Sequence, residues 1–155
     1  MPIDRFYDPR SGHTVLSNFY EGNGFDAPHF DGGEVVHWPS AEHYYQAAKA
    51  RSFDEAEKIR FCETPGIAKK AGRNLKIRLG WDSFKLDVMR LALGYKFAPD
   101  TPEAAYLKST ERFVLSEGNY WNDRFWGVCK GTGSNWLGWL LMAQRSWLIA
   151  EEFDN

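Results

Sequence analysis

Little in the chain marks a secreted, membrane-bound or metal-built protein. It has two cysteines among 155 residues, and Cys62 and Cys129 fit neither a disulfide framework nor a zinc-ligand spacing, so both are expected to be reduced thiols. No apolar run approaches the roughly 20 residues a membrane helix requires. The opening Met-Pro-Ile-Asp-Arg lacks the basic-then-apolar layout of a signal peptide, and a soluble, cytoplasmic protein with no membrane partner is expected. With 19 basic and 21 acidic residues the net charge is −2, so no overall field attracts duplex nucleic acid or an anionic membrane, although a local basic pocket for one phosphate remains open. Repeats and low-complexity tracts are absent. No His, Cys and Asp set has ligand spacing, so neither a metal nor another cofactor is expected.

Aromatic residues are abundant at 16%, with seven tryptophans. Part of that content must be core. Trp38, Trp81, Trp121 and Trp126, however, each sit next to turn or cap residues, where a ring can face a ligand. The length suits one ordinary domain, and a single domain over residues 1–155 is expected.

The central stretch is Trp38-Pro39-Ser40-Ala41-Glu42-His43-Tyr44-Tyr45-Gln46-Ala47-Ala48-Lys49. Ser40 can cap a helix, and good helix formers follow without an interior Gly or Pro. At about 100° per residue, Glu42, Gln46 and Lys49 fall within roughly 60° of one another, a polar stripe made of an acid, an amide and an amine. Such a stripe can simply face water. The aromatic crowding by Trp38 and His43-Tyr44-Tyr45 favours a site instead, because it would desolvate the carboxylate and raise its pKa.

Upstream, the pattern predicts short extended pieces: Arg5-Phe6-Tyr7, Thr14-Val15-Leu16, and a hairpin pairing Phe25 to Phe30 with Glu34 to Trp38 across Asp31-Gly32-Gly33. Leu16-Ser17-Asn18-Phe19-Tyr20 reads either as a local turn or as a cleft wall in which Asn18 bonds a base or ribose. Downstream, Asp54 can cap a helix through Phe61, and Thr64-Pro65 opens one to about Asn74. Arg78 and Trp81 lie in a connection, and Asp82 or Ser83 caps a helix over 83–97 with Phe84, Val88, Leu91, Ala92 and Tyr95 on its apolar face, widened by Met89 and Leu93. Lys96, in its last turn, answers the helix dipole. Thr101-Pro102 starts a helix to about Ser109, and Phe113-Val114-Leu115 is extended. Residues 117 to 135 form a long aromatic, polar loop, a length that in a compact domain is functional or disordered; its aromatics argue for function. Its end, Gly131-Thr132-Gly133-Ser134-Asn135, opens the last helix, Trp136 to about Glu152, either as a phosphate-binding turn or with Ser134 as a plain cap.

The ordered set Leu16-Ser17-Asn18-Phe19, Trp38-Pro39-Ser40, Glu42-His43-Tyr44, Gln46-Ala47-x-Lys49, Arg78, Trp81, Val88-Met89, Lys96-Phe97, Asn122-Asp123-x-Phe125-Trp126-Gly127, Asn135-x-Leu137-Gly138, Leu141-Met142 and Arg145 resembles the NADAR family, whose bacterial members are YbiA-like proteins. The resemblance spans about residues 6 to 148. It implies an α+β, predominantly helical domain with a small N-terminal β-hairpin region, acting on N-ribosyl compounds. Members include N-glycosidases of phosphorylated ribosylamino-pyrimidine intermediates of riboflavin synthesis and hydrolases that free ADP-ribose from guanine in DNA or RNA. Departures from the pattern, an additional Tyr120-Trp121 and Gly131-Thr132-Gly133-Ser134 in place of a more basic stretch, bear on substrate choice.

Cleavage of an N-ribosyl bond develops positive charge at the anomeric carbon and negative charge on the departing base, so a carboxylate and a proton source are needed. The resemblance implies Glu42 as the essential acid or base, Asp123 to orient water or ribose hydroxyls, and Lys49 to steady a carboxylate, grip a phosphate or form an imine. It also implies Asn18, Trp38, His43, Gln46, Arg78, Trp81, Trp126, Gly127 and Asn135 as substrate-binding residues, with Trp81 and Trp126 as stacking faces. A binding module that recognises ADP-ribose without turnover is the alternative.

Overall fold

A computed structural model describes residues 1–30 and 33–155. Among the described residues, six helices and a few very short strands make a mainly helical α+β fold. It forms two compact units, one of Asn18–Lys96 and one of Met1–Ser17 with Phe97–Asn155. Among the described residues no helix is long and apolar enough to cross a membrane.

The Asn18–Lys96 unit opens with an antiparallel hairpin, β1 (Phe25–Pro28) and β2 (Val35–Trp38), in the register Phe25 opposite Trp38 and Pro28 opposite Val35. Of the expected turn, Asp31 and Gly32 lie outside the described residues. Four helices follow: α1 (Ala41–Ala47), α2 (Phe53–Arg60), α3 (Pro65–Arg73) and α4 (Trp81–Lys96). Helix α1 packs against α2, α3 and α4, and every one of its residues is buried. The core gathers Phe25, Trp38, Tyr44, Ile59 and Ala92, with small alanines at the helix contacts. Those alanines on α1 let the neighbouring helices approach closely, at the distance the shortest side chains permit.

Helix starts follow the cap chemistry. Ser40, Ser52 and Thr64 each accept a backbone N–H with their hydroxyl oxygen. Ser52, not the expected Asp54, caps α2, and Glu55 reaches back to the Arg51 N–H and the Ser52 hydroxyl, a reciprocal capping arrangement. Helix α4 begins at Trp81 and is rotated from the expected face. Met89, Ala92, Leu93 and Lys96 are buried, whereas Phe84 and Leu91 are exposed and Val88 and Tyr95 pack at the margin. Lys96 is only 5% exposed and holds its ammonium 5.4 Å from the centre of the Tyr20 ring, so it does more than answer a dipole in water.

In the second unit, two 3-10 turns, Pro9–Ser11 and Thr14–Leu16, replace the expected strand at 14–16. The expected strand at Arg5–Tyr7 is a turn: Arg5 has φ 52°, its carbonyl accepts the Asp8 N–H, and the extended residue is Ile3, bridged to Leu115. A left-handed backbone at Arg5 cannot continue a strand. Helices α5 (Pro102–Ser109, capped by Thr101) and α6 (Trp136–Asp154) pack together. The loop carries a two-residue parallel pair, β3 (Gly118–Asn119) and β4 (Val128–Cys129). Helix α6 starts after Asn135, left-handed at φ 53°, not after a Ser134 cap. Asn135 turns its amide elsewhere, accepting the Glu117 N–H at 3.0 Å and donating to the Leu115 carbonyl at 2.9 Å.

Candidate active site

On α1 the predicted stripe faces inward. The Glu42 N–H donates to the Asn18 carbonyl at 3.0 Å, and the carboxyl, on a residue 6% exposed, accepts the Gln46 amide at 2.7 Å. Burial pushes the Glu42 carboxyl up; the Gln46 hydrogen bond and the charges of Lys69, Lys49 and Arg73 only partly oppose it. Lys49 shows the mirror effect. Burial pulls its ammonium down, with Glu42 opposing and the Lys69, Arg73 and Lys85 charges adding. Burial thus pushes the acid and the amine each towards its neutral form, while the charge of each opposes that shift in the other.

Around this pair the other predicted residues take distinct places. Asn18 is buried, donates to the Met89 sulfur at 3.5 Å and leaves its Oδ1 without a hydrogen-bond partner. Gln46 Oε1 is likewise buried and unpartnered, pressed against Gly72. Trp81 is buried edge-on to Tyr45, with ring centres 5.3 Å apart, and the Lys49 ammonium stands 5.1 Å from the Tyr45 ring and 5.9 Å from Trp81. Arg78 is exposed over Phe84 and ties its backbone N–H to the Lys49 carbonyl at 2.9 Å.

Two predicted ligand contacts are scaffold instead. Trp38 is fully buried, packed against His29, Phe30 and Tyr44, with its indole N–H donated to the Ala27 carbonyl. A ring so enclosed has no face for a base. His43 is fully buried too: Nε2 donates to the Cys62 carbonyl at 2.9 Å, and Nδ1 is 2.7 Å from the Ser40 hydroxyl. The carbonyl can only accept, so the neutral ring carries its proton on Nε2 and takes the Ser40 O–H at Nδ1. Burial holds His43 below the usual imidazole range. Its role here is to fix the first turn of α1.

The remaining predicted residues belong to the second unit, in the loop before α6. Asp123 Oδ1 accepts the N–H groups of Phe125 at 3.1 Å and Trp126 at 2.9 Å, while the Asp123 backbone is clamped from both sides by the Asn119 amide. Trp126 is half-buried, edge-on to Phe125. Gly127 lies against the Glu117 carbonyl with no room for a side chain. Asn135, as described above, staples the two ends of the loop.

Sequence reasoning missed three cations and a glycine. Lys69 and Arg73 stand four residues apart on α3, and the charge of each favours the Glu42 carboxylate. Lys85 of α4 joins the field at Lys49 and is answered by Asp82 at 3.1 Å. The signal was the i, i+4 spacing of Lys69 and Arg73 around a glycine, which reads alone as an ordinary basic helix end. Among the described residues no three His, Cys, Asp or Glu side chains form a metal-binding set.

A buried acid on a short central helix, followed just past its end by a half-buried amine, in a mainly helical α+β chain, defines the class: residues 5–149 match the NADAR domain model, and the chain belongs to the NADAR family. N-glycosidase YbiA of Shigella boydii is 40% identical over 118 residues, which cover 74% of this chain and 73% of that protein. A riboflavin biosynthesis protein of Vibrio vulnificus is 35% identical over 143 residues, covering 90% of this chain and 37% of the relative. The NMR structure of the Escherichia coli protein YbiA matches with a TM-score of 0.79 at 32% identity, over all of this chain and 90% of the other.

Proposed function

We propose that residues 1–155 form a single NADAR domain that hydrolyses the N-ribosyl bond of a nucleotide-like substrate. The observation that carries this is Glu42, buried and hydrogen-bonded by Gln46 on the helix that forms the centre of its unit. Glu42, whose carboxyl burial pushes up, gives a proton to the leaving nitrogen as the C1′–N bond breaks. Water then adds to the anomeric carbon and returns a proton to the Glu42 carboxylate, leaving a free sugar hydroxyl and a free amine. While charged, that carboxylate is steadied by Lys49, Lys69 and Arg73. Tyr45 and Trp81 set ring surface against the Lys49 ammonium, and Asn18 Oδ1 offers an acceptor to a ribose hydroxyl.

A phosphoribosylamino-pyrimidine of riboflavin synthesis is the first reading of the substrate, supported by relatives named as an N-glycosidase and as a riboflavin biosynthesis protein. ADP-ribosylated guanine in nucleic acid is the second reading, favoured by the exposed Tyr120 and Trp121, packed edge-on against Tyr7, whose ring faces suit unpaired bases. The reaction uses side chains alone, and the two free thiols suit a reducing cytoplasm. The test incubates the protein, with and without EDTA, with each substrate and reads release of the sugar. Release of free ribose phosphate or ADP-ribose, indifferent to EDTA, is expected; no release from either contradicts the proposal.

A further inference from the structure

We infer that the exposed face of α6 is a self-association surface, on which a second copy of this chain lays its own α6 antiparallel, with the twofold axis at Ala143. The inference is independent of the N-ribosyl reading and uses none of the residues that carry it.

Spacing defines the face. Trp136, Leu140, Ala143, Trp147 and Ala150 recur at alternating intervals of four and three, which at about 100° per residue keeps them within roughly 80° around the helix. That period is the one on which two helices interlock side chain into hole. Trp139 and Phe153 widen the strip along one edge. The core does not account for these rings, because Leu137, Leu141, Arg145 and Leu148 are the buried side of α6.

The exposed area is large enough for a partner. Trp136, Trp139, Trp147 and Phe153 are 39%, 59%, 46% and 84% exposed, so at roughly 200–250 Å² per ring they present on the order of 500 Å² of aromatic surface. A standard interface takes about 800 Å² from each partner, about 60% of it apolar. One face of α6 therefore supplies the apolar share of a dimer interface.

Charge selects the occupant. From Trp136 to Phe153 the strip carries no charged residue. The one cation of α6, Arg145, is buried and donates to the Thr110 hydroxyl at 2.8 Å and the Phe113 carbonyl at 2.9 Å, and the helix ends on Glu151, Glu152 and Asp154. A membrane-surface helix or a nucleic-acid strand needs cations beside the rings; an uncharged strip with a self-matching period suits a second copy. Parallel helices would bring the two acidic ends together. Antiparallel ones set each acidic end beside the other helix's positive N-terminus. They also place Trp136 opposite Ala150 and Leu140 opposite Ser146 of the second copy, large against small, with Trp139 and Trp147 paired on either side of Ala143.

The test is sedimentation equilibrium of the full chain across micromolar concentrations, with co-sedimentation on vesicles of equal parts phosphatidylcholine and phosphatidylserine as a second arm. A monomer–dimer equilibrium in the micromolar range is expected, with no vesicle binding. Ala143→Glu, which sets like charges face to face, should weaken the dimer roughly tenfold or more, and a mixture of Ala143→Glu with Ala143→Lys should recover it. Ala143 and Trp139 are exposed, so both variants should keep the wild-type melting temperature, and Trp139→Ser carries the test if Ala143→Glu melts early. A monomer at every concentration, a dimer undiminished in Ala143→Glu and Trp139→Ser, a mixed pair that stays dissociated, or a monomer that pellets with vesicles each overturns the inference.

Discussion

The side chain of Gln46 rests on the α-carbon of Gly72, and its amide nitrogen reaches 2.7 Å to Glu42. A helical glycine on α3 thereby sets the position of the proposed acid on α1. Nothing in the φ of Gly72 demands glycine; the demand is space. Gly72→Ala should cost about 1–3 kcal/mol in urea unfolding, the usual range for forcing a methyl group into a packed core, and should lower kcat more than it raises KM.

Removing the Gln46 amide has a signed effect on protonation. Its hydrogen bond lowers the Glu42 pKa against the dominant effect of burial, so Gln46→Ala should move the Glu42 limb of the pH–rate profile upward. Arg73→Gln should shift it the same way, because a cation that favours the carboxylate is gone. A limb that stays in place in both variants would mean another group titrates there.

Stability should follow the same proton. The folded-state pKa of Glu42 is raised above its unfolded value, so its contribution is fully present below the unfolded pKa and is lost as pH rises through the folded one. Glu42→Gln, which keeps the neutral shape, should therefore gain stability relative to the wild type as pH rises through that range, measured by chemical unfolding across pH. Parallel curves would contradict a buried, proton-holding Glu42.

Trp38 and Trp81 should separate cleanly. Trp38→Ala empties a fully enclosed core site and should cost about 3–5 kcal/mol in unfolding free energy. Trp81→Ala, at the start of α4 beside Tyr45 and Lys49, should show its larger effect in KM.

Asp123 has a structural task visible in the loop and a chemical one proposed for it. Asp123→Asn keeps an Oδ1 acceptor for the Phe125 and Trp126 N–H groups, whereas Asp123→Ala loses it and should loosen the loop. If Asp123 orients water or ribose hydroxyls as a carboxylate, the Asn variant folds normally and turns over at least tenfold more slowly. Full activity in Asp123→Asn would confine the residue to holding the loop.

Much of the fold could be read from residue order. Ser40, Thr64-Pro65 and Thr101-Pro102 are caps whose chemistry is local, and α1, α3 and α5 begin where those residues place them. The hairpin strands and the inward turn of Glu42 and Gln46 were legible for the same reason, as periodicity plus crowding. What was not legible depended on partners far along the chain. The α4 face is rotated because it packs against α1, and Phe84 and Leu91 are as apolar as the residues buried in their place. Thr14-Val15-Leu16 has β-branched residues, yet it closes a 3-10 turn that buries only Leu16. Trp38 and His43 look like ligand contacts by type and position, but their polar atoms are spent on Ala27, Cys62 and Ser40. The influence of the Lys69 and Arg73 charges on Glu42 required α3 to lie on α1, which no local spacing states.

The most direct test is Glu42→Gln, followed in parallel by single-turnover sugar release and by calorimetric affinity for the released sugar. The amide preserves the size of the carboxyl and removes its transferable proton. Loss of release by a factor of about 10² or more, with affinity and melting temperature maintained, is the predicted result; release at the wild-type rate would contradict Glu42 as the acid.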